Sequence, residues 1–386
     1  MTTIDWNKIR NDYPATKNWA YFHSAGMSPM PTPVFETLVA EYRKVLLDGD
    51  RFWEADVERF NDLRHEIGTL LGAEGKDVAL LPNTSWIMVL LAETFKTNGL
   101  AGGNIVSLMD EFPSSTVPFE HAGLDMRYVD ARDHRYPVRD ILDKVDGATI
   151  AVVCSYVQYG TGFRLDLEEL GKGLEEKDAL FVVNATQGFP YFPIDVGRMR
   201  IDCLSASLHK WGSTGHVGSV FYTSPAFRKR FRSPFAGWLS IAPQGDEFIY
   251  TKKNVPFELH ESAERYILGT VNFQPLMALR TALKYFQSIG FEQIRKRIFD
   301  LMDYLVEGVR GLDLDIHTPL GNLNERSAIL SVSIPGDANA VAKRLEEDGI
   351  MVAARKGRLR ISINIFNNHK DIDRLLKQLS DNLTAS

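Results

Sequence analysis

The segment Ser207-Leu208-His209-Lys210-Trp211-Gly212 sets an amine among a hydroxyl, a histidine and a glycine, directly after the apolar run 201–206. A lysine held this way can condense with an aldehyde cofactor while its neighbours grip a phosphate. A lysine met alone is a solvated surface charge. Here Ser213, Thr214, Gly215 and Gly218 follow it, and then the apolar run 220–222, so Lys210 is expected at a strand end. Four other polar clusters fall just after apolar runs. They are Asn83-Thr84-Ser85, Glu111-Phe112-Pro113, Gln158-Tyr159 and Asn184 to Gln187.

The elements that must position these clusters alternate along the chain. Val57, Phe60, Leu63, Ile67, Leu70 and Leu71 share a helical face that ends at Gly72. Strands are expected near 78–81, 105–109, 126–129, 149–157, 180–183, 203–206 and 218–222, with helices near 86–95, 138–145 and 167–177 among them. This alternation predicts an α/β fold with a mostly parallel sheet covered on both faces. Ligands bind such sheets in loops at the carboxyl ends of the strands, where the polar clusters lie. From about Phe273 the texture changes to helices, a strand near 328–334, a strand pair within 351–365 and a last helix near 369–383, which reads as a small α+β domain. In the last strand Leu359, Ile361, Ile363 and Ile365 alternate with Arg360, Ser362 and Asn364, and Arg358 shares the parity of Arg360. Residues 231–264 read as a long loop region lining a pocket, with Trp238, Tyr250, His260 and Arg265 as candidate side chains.

Composition narrows the classes. The chain has 386 residues, 44% hydrophobic and 24% charged, with a net charge of -6. These values describe a globular protein without a basic surface, so nucleic-acid binding is not expected. No apolar run reaches the ~18 residues of a membrane helix. Met1 to Arg10 has no apolar core of a signal peptide, so the expected location is the cytoplasm. Cys154 and Cys203 sit inside apolar runs and read as small buried side chains. The histidines show no metal-ligand spacing, so no metal site is expected.

The ordered set Tyr21-Phe22-His23-Ser24-Ala25-Gly26, Asn184-Ala185-Thr186-Gln187, Pro193-Ile194-Asp195-Val196, Ser207-Leu208-His209-Lys210 and Arg360 resembles the class V aminotransferase family of fold type I pyridoxal-phosphate enzymes. That group includes cysteine desulfurases, kynureninase and isopenicillin N epimerase-like proteins. The resemblance implies a mostly parallel seven-stranded sheet in a large cofactor-binding domain (21–272), an N-terminal segment (1–20) packed on the small domain, and a small C-terminal domain (273–386). It implies pyridoxal 5'-phosphate as cofactor, with Lys210 forming the internal aldimine. Thr84, Ser85, Ser207 and His209 would hold the phosphate, and Phe112 would stack on the pyridine ring. Gln158 and Gln187 would face the phenolic oxygen, and Asn184 the ring nitrogen. Arg360 would pair the substrate α-carboxylate beside Ala25. Thr270 would reach the phosphate of a second subunit, which implies a homodimer with shared sites.

Three departures from the family pattern shape the expected activity. Asn184 stands where the family usually has an aspartate, and its neutral amide can only hydrogen-bond. The C-terminal region has no cysteine to act as a desulfurase nucleophile. Phe112 replaces the histidine that desulfurases place over the ring, and it cannot transfer a proton. The reading therefore moves away from cysteine desulfurase. The first expectation is transamination of an α-amino acid. The alternative is an epimerase or β/γ-lyase of the isopenicillin N epimerase or kynureninase type. A non-catalytic pyridoxal-phosphate-binding protein ranks below both.

Overall fold

The computed structural model describes residues 4–243 and 256–384. Its strands, in chain order, are β1 (Ala20–Tyr21), β2 (Val78–Leu81), β3 (Asn104–Leu108), β4 (Asp125–Val129), β5 (Thr149–Ser155), β6 (Leu180–Asn184), β7 (Cys203–Ser207), β8 (Ser219–Thr223), β9 (Ile329–Val332), β10 (Ile350–Met351), β11 (Ala353–Arg355) and β12 (Arg358–Ser362). Seven of them form one sheet in the order β2-β8-β7-β6-β5-β3-β4.

Strands β4, β3, β5, β6 and β7 run parallel, while β8 is antiparallel to both β7 and β2. The α/β class with a mostly parallel seven-stranded sheet is therefore as expected. The direction of β8 was not legible, because an apolar run carries no direction. Every residue of β3, β5, β6, β7 and β8 is buried, which is why these strands read as continuous apolar runs and not as alternating ones. Strand β4, at the sheet edge, keeps Asp125 and Arg127 toward solvent.

Local signals set the helices that bear on the site. Trp53–Leu71 stops at Gly72, whose left-handed φ of 67° closes the helix end. Thr84–Thr97 starts where the Asn83 side chain accepts a hydrogen bond from the Trp86 N–H. Helix Phe273–Ile289 presses Leu276, Leu279, Leu283 and Phe286 into the core of the large sheet.

A second sheet, β11-β12-β9, is antiparallel and has its own apolar core of Phe22, Leu305, Val341, Leu359, Ile361 and Leu375. Strand β1 pairs in parallel with β10, and Arg10 grips the Asp371 carboxylate at 2.6 and 2.9 Å. A two-residue turn, Lys356-Gly357, joins β11 to β12, with φ of 50° and 73°. Such a turn matches the twist of the strands it joins. Lys356 makes an ion pair with Asp110, which fastens the hairpin tip to the loop after β3.

Candidate active site

The carboxyl ends of β5, β6 and β7, the first turn of helix Thr84–Thr97 and the β11–β12 hairpin enclose a cavity of about 330 Å³. Ala25, Thr84, Ser85, Phe112, Asn184, Gln187, Ser207, His209, Lys210 and Arg360 all line it. Strand order explains the convergence, since β5, β6 and β7 are adjacent and parallel and so end side by side.

The floor is a web of hydroxyls. Thr84 Oγ1 lies 2.8 Å from Ser207 Oγ and 3.3 Å from Ser219 Oγ, and the two serines are 3.1 Å apart. Thr186 Oγ1 accepts from the Ser207 N–H at 3.0 Å and lies 3.4 Å from Thr84 Oγ1. Because the Asn83 side chain caps only the Trp86 N–H, the first N–H groups of the helix keep the positive end of its dipole facing the cavity. Hydroxyls at a helix start suit a phosphate. His209 shares this end. Burial lowers its pKa to about 4, with help from Lys210 and His216, so the ring is neutral near pH 7.

Lys210 follows β7 in a turn that needs its glycine. A Cβ on Gly212 would sit 2.3 Å from the Leu208 carbonyl oxygen. The Lys210 amine makes no hydrogen bond or ion pair with any described residue, and Nζ lies 5.6 Å from the centroid of the Phe112 ring. Burial, then the like charges of Arg360 and Arg355, lower its pKa to about 7. A large share of the amine is therefore neutral and nucleophilic near neutrality.

The amide side chains are fixed by groups that can only donate or only accept. Asn184 Oδ1 accepts from the Thr186 backbone N–H at 3.1 Å, so Nδ2 must turn the other way, where it donates to Ser115 Oγ at 2.9 Å. Gln187 Oε1 accepts from the Trp211 indole at 2.9 Å and Nε2 donates to the Ala25 carbonyl at 3.0 Å. The Ala25 N–H donates to Ser362 Oγ, so one network joins the N-terminal loop to β12 and β6.

Arg360 faces the cavity from β12 although it is only 3% exposed. One terminal nitrogen donates to the Tyr159 carbonyl at 3.1 Å, and the buried Nε has no partner among the described residues. Burial, then Arg355, lower its pKa to about 10. A carboxylate presented here would meet open donors of a planar fork.

One residue expected at this cavity lies elsewhere. Gln158 does not line the cavity. Its N–H bonds Phe163 and its carbonyl accepts from Gly162, so the chain turns tightly and the side chain goes inward to donate to Glu111 at 2.9 Å. The next residue, Tyr159, takes the place at the cavity and meets Phe112 edge-on at 5.3 Å. Within this chain, Thr270 lines a separate cavity of about 310 Å³ beside Trp86 and His216. Trp238 and His260 line a third, apolar cavity, and Arg265 bonds the carbonyls of His260 and Arg228. Tyr250 lies outside the described residues.

Other lining residues carried no expected role: Thr186 and Tyr159, named only within their clusters, and Ser155 and Arg355. For Thr186 the signal was its place inside the cluster after β6. Buried Glu111, which accepts from the Ser155 N–H at 2.6 Å, steadies the strand end next to Phe112. Burial pushes its carboxyl up, against the pull of the Ser155 and Gln158 hydrogen bonds.

The residues fit pyridoxal phosphate on their own chemistry. They offer a depressed amine, a neutral hydroxyl-lined anion seat, an aromatic face and an amide fixed by its neighbours. Comparisons with known proteins agree. The model of the family described as aminotransferase class-V matches residues 20–375. A probable cysteine desulfurase of Pyrococcus abyssi is 27% identical over 97% of this chain and 96% of its own. The structure of a cysteine desulfurase from Thermococcus onnurineus covers both chains completely, with a TM-score of 0.89 at 23% identity. A cystine C–S lyase, solved with its reaction product cysteine persulfide, matches with a TM-score of 0.83 at 18% identity, over 96% of this chain and 99% of its own.

Proposed function

The chain belongs to the class V aminotransferase family, whose cofactor is pyridoxal 5'-phosphate, and from that premise we propose that it is a lyase that eliminates a β-sulfur substituent from an α-amino acid. The observation that carries this reading is the pairing of one free, depressed amine with a chain that has no usable thiol. Lys210 is the mobile proton carrier of the cavity. Cys154 and Cys203 are both fully buried in β5 and β7, and burial pushes both thiols up. A sulfur acceptor on the enzyme is therefore missing, although desulfurase names recur among the relatives. An elimination needs none, because the sulfur leaves on the product, as the cysteine persulfide of the related cystine lyase illustrates.

The bound cofactor supplies the electron sink for the α-carbanion. Arg360 takes the α-carboxylate through its open donors and so sets Cα toward Lys210. Lys210 removes the proton from Cα. As the Cβ–S bond breaks, its electron pair leaves with sulfur and a double bond forms between Cα and Cβ. Water then converts the remainder to a 2-oxo acid and ammonium. Phe112 carries no transferable proton, so it would offer an aromatic face to the cofactor and leave acid–base work to Lys210. Thr84, Ser85, Ser207 and His209 would hold the phosphate. Asn184 and Gln187, fixed by their protein partners, would flank the ring.

A homodimer is part of the proposal. It is supported by exposed Phe35, Val39, Tyr42 and Leu46 on helix Thr32–Asp48, an apolar stripe at helical spacing. It is also supported by the position of Thr270 outside the cavity of its own chain. The division at residues 20 and 272 belongs to the same reading, as does a cytoplasmic location. No helix of the described residues is long and apolar enough to cross a membrane.

The test is product analysis of the reconstituted enzyme with L-cystine and other cysteine S-conjugates. Multiple turnovers yielding 2-oxo acid, ammonium and the sulfur product are expected, and Cys154→Ala/Cys203→Ala should retain them. If one equivalent of 2-oxo acid forms per cofactor and the reaction then stops until an acceptor is added, the enzyme is a transaminase instead. Loss of turnover in the folded cysteine-free variant would also sink the elimination reading.

A further inference from the structure

We propose that the substrate is an acidic α-amino acid, with a second anionic group on its side chain, and that Arg355 selects it. The proposal rests on the reading above that Arg360 takes the α-carboxylate. Strand register is the first ground. Ala353 pairs with Arg360 and Arg355 with Arg358. Residues directly opposite in an antiparallel pair share a face, so Arg355 and Arg360 are diagonal neighbours on one face, at positions roughly 7–8 Å apart. Both line the cavity with Lys210, whereas Arg358 does not. Two guanidinium forks at that spacing match two acid groups a few bonds apart on one small molecule.

The second ground is charge. Asp and Glu outnumber Lys and Arg by 50 to 44 in the chain, so carboxylates are not scarce. None of the described ones lines this cavity. Arg355 makes one hydrogen bond, to the Ala354 carbonyl at 2.7 Å, and no ion pair with any described residue. The floor can hold a phosphate with neutral hydroxyls and helix N–H groups, and one carboxylate satisfies Arg360. Arg355 is then a cation with no anion assigned to it. Like charges on neighbouring strand positions repel, and a bridging dianion removes that cost.

The third ground is rigidity. The turn beyond Arg355 is tied down, because Lys356 pairs with Asp110 and its amine lies 6.0 Å over the Tyr159 ring. Arg355 is exposed at the mouth, where a side-chain anion would arrive after the α-carboxylate has docked deeper on Arg360. A sulfinate or sulfonate on Cβ and a plain side-chain carboxylate present the same anionic chemistry to Arg355.

The experiment titrates holoenzyme with L-aspartate, L-cysteine sulfinate, L-asparagine and L-alanine, and follows the visible absorbance of the bound cofactor. The wild type should bind at least one of the two acids about ten-fold or more tighter than asparagine and alanine, as one charge-assisted contact implies. Arg355→Ala should abolish that preference and leave asparagine and alanine within about two-fold. Arg355→Lys should restore part of it. If aspartate wins over cysteine sulfinate the anion sits on carbon, and the reverse order places it on sulfur. Absence of any preference in the wild type overturns the proposal, and so does a preference that survives Arg355→Ala. Equal weakening of all four ligands in Arg355→Ala would make Arg355 a second clamp on the α-carboxylate, which also overturns it. These results leave the lyase reading standing. If no amino acid perturbs the absorbance, both fall.

Discussion

The two ends of the cavity prepare for anions in opposite ways. At the sheet end the hydroxyls of Thr84, Thr186, Ser207 and Ser219 are already hydrogen-bonded to one another. At the hairpin end, among the described residues, Arg360 keeps a buried donor without a partner and Arg355 has no carboxylate. The sheet end costs little to form, because its groups are neutral and mutually satisfied. The hairpin end is costly, since a desolvated guanidinium is stabilised only when an anion arrives. A resident cofactor suits the first and a transient substrate the second. Lys210 stands between them, and burial first, then the two arginines, lower its pKa.

Lys210→Ala removes the hinge of this comparison and should have the largest effect. Turnover is expected to fall by about 10³-fold or more, with loss of the visible band of bound cofactor. The unmodified chain also makes a pH prediction. The neutral amine is the reactive form and its fraction grows as pH rises, so the rate of cofactor capture by the apo chain should climb through about pH 7. A surface lysine would climb only near pH ~10.4. A stopped-flow series across pH checks this, and a flat profile around neutrality would show that burial and the two arginines do not depress the amine.

Arg360→Ala attacks the hairpin end alone. A KM increase of about 10–100-fold is expected, with cofactor affinity retained. Removing its charge should also move the capture profile of Lys210 to higher pH. If the variant instead loses cofactor and keeps KM, the assignment of the ends is reversed. Thr84→Val attacks the sheet end and should do least, since one hydroxyl of a shared web is worth ~1 kcal/mol. Equilibrium dialysis should show cofactor bound about five-fold more weakly, while substrate KM stays near the wild-type value.

Much of the sheet end was legible from sequence, because each residue sits directly after an apolar run whose length marks a strand end. Thr84, Ser85, Asn184, Gln187, Ser207, His209 and Lys210 were found that way. Ser219 was not, for a definite reason. It starts β8, and a parallel reading places strand starts at the far edge of the sheet. The antiparallel direction of β8 brings Ser219 opposite Ser207. Gln158 failed by a single residue, because the tight turn 158–163 decides which side chain faces the cavity. At the hairpin end the parity of β12 left Arg358 and Arg360 equivalent and the family resemblance singled out Arg360, but Arg355 needs the register of β11 on β12, and spacing along the chain does not encode that. The pairing of Lys356 with Asp110 is further removed, joining residues 246 positions apart.

The two cysteines sealed in β5 and β7 bear on how this molecule can be watched. Both side chains are 0% exposed and resist ionisation, so thiol reagents meet an almost silent background in the folded protein. A cysteine introduced at an exposed position such as Leu323 becomes the single reactive handle for a fluorophore or spin label without engineering the native thiols away. Any ligand-dependent signal from such a label then comes from one known position, with the core left as it is.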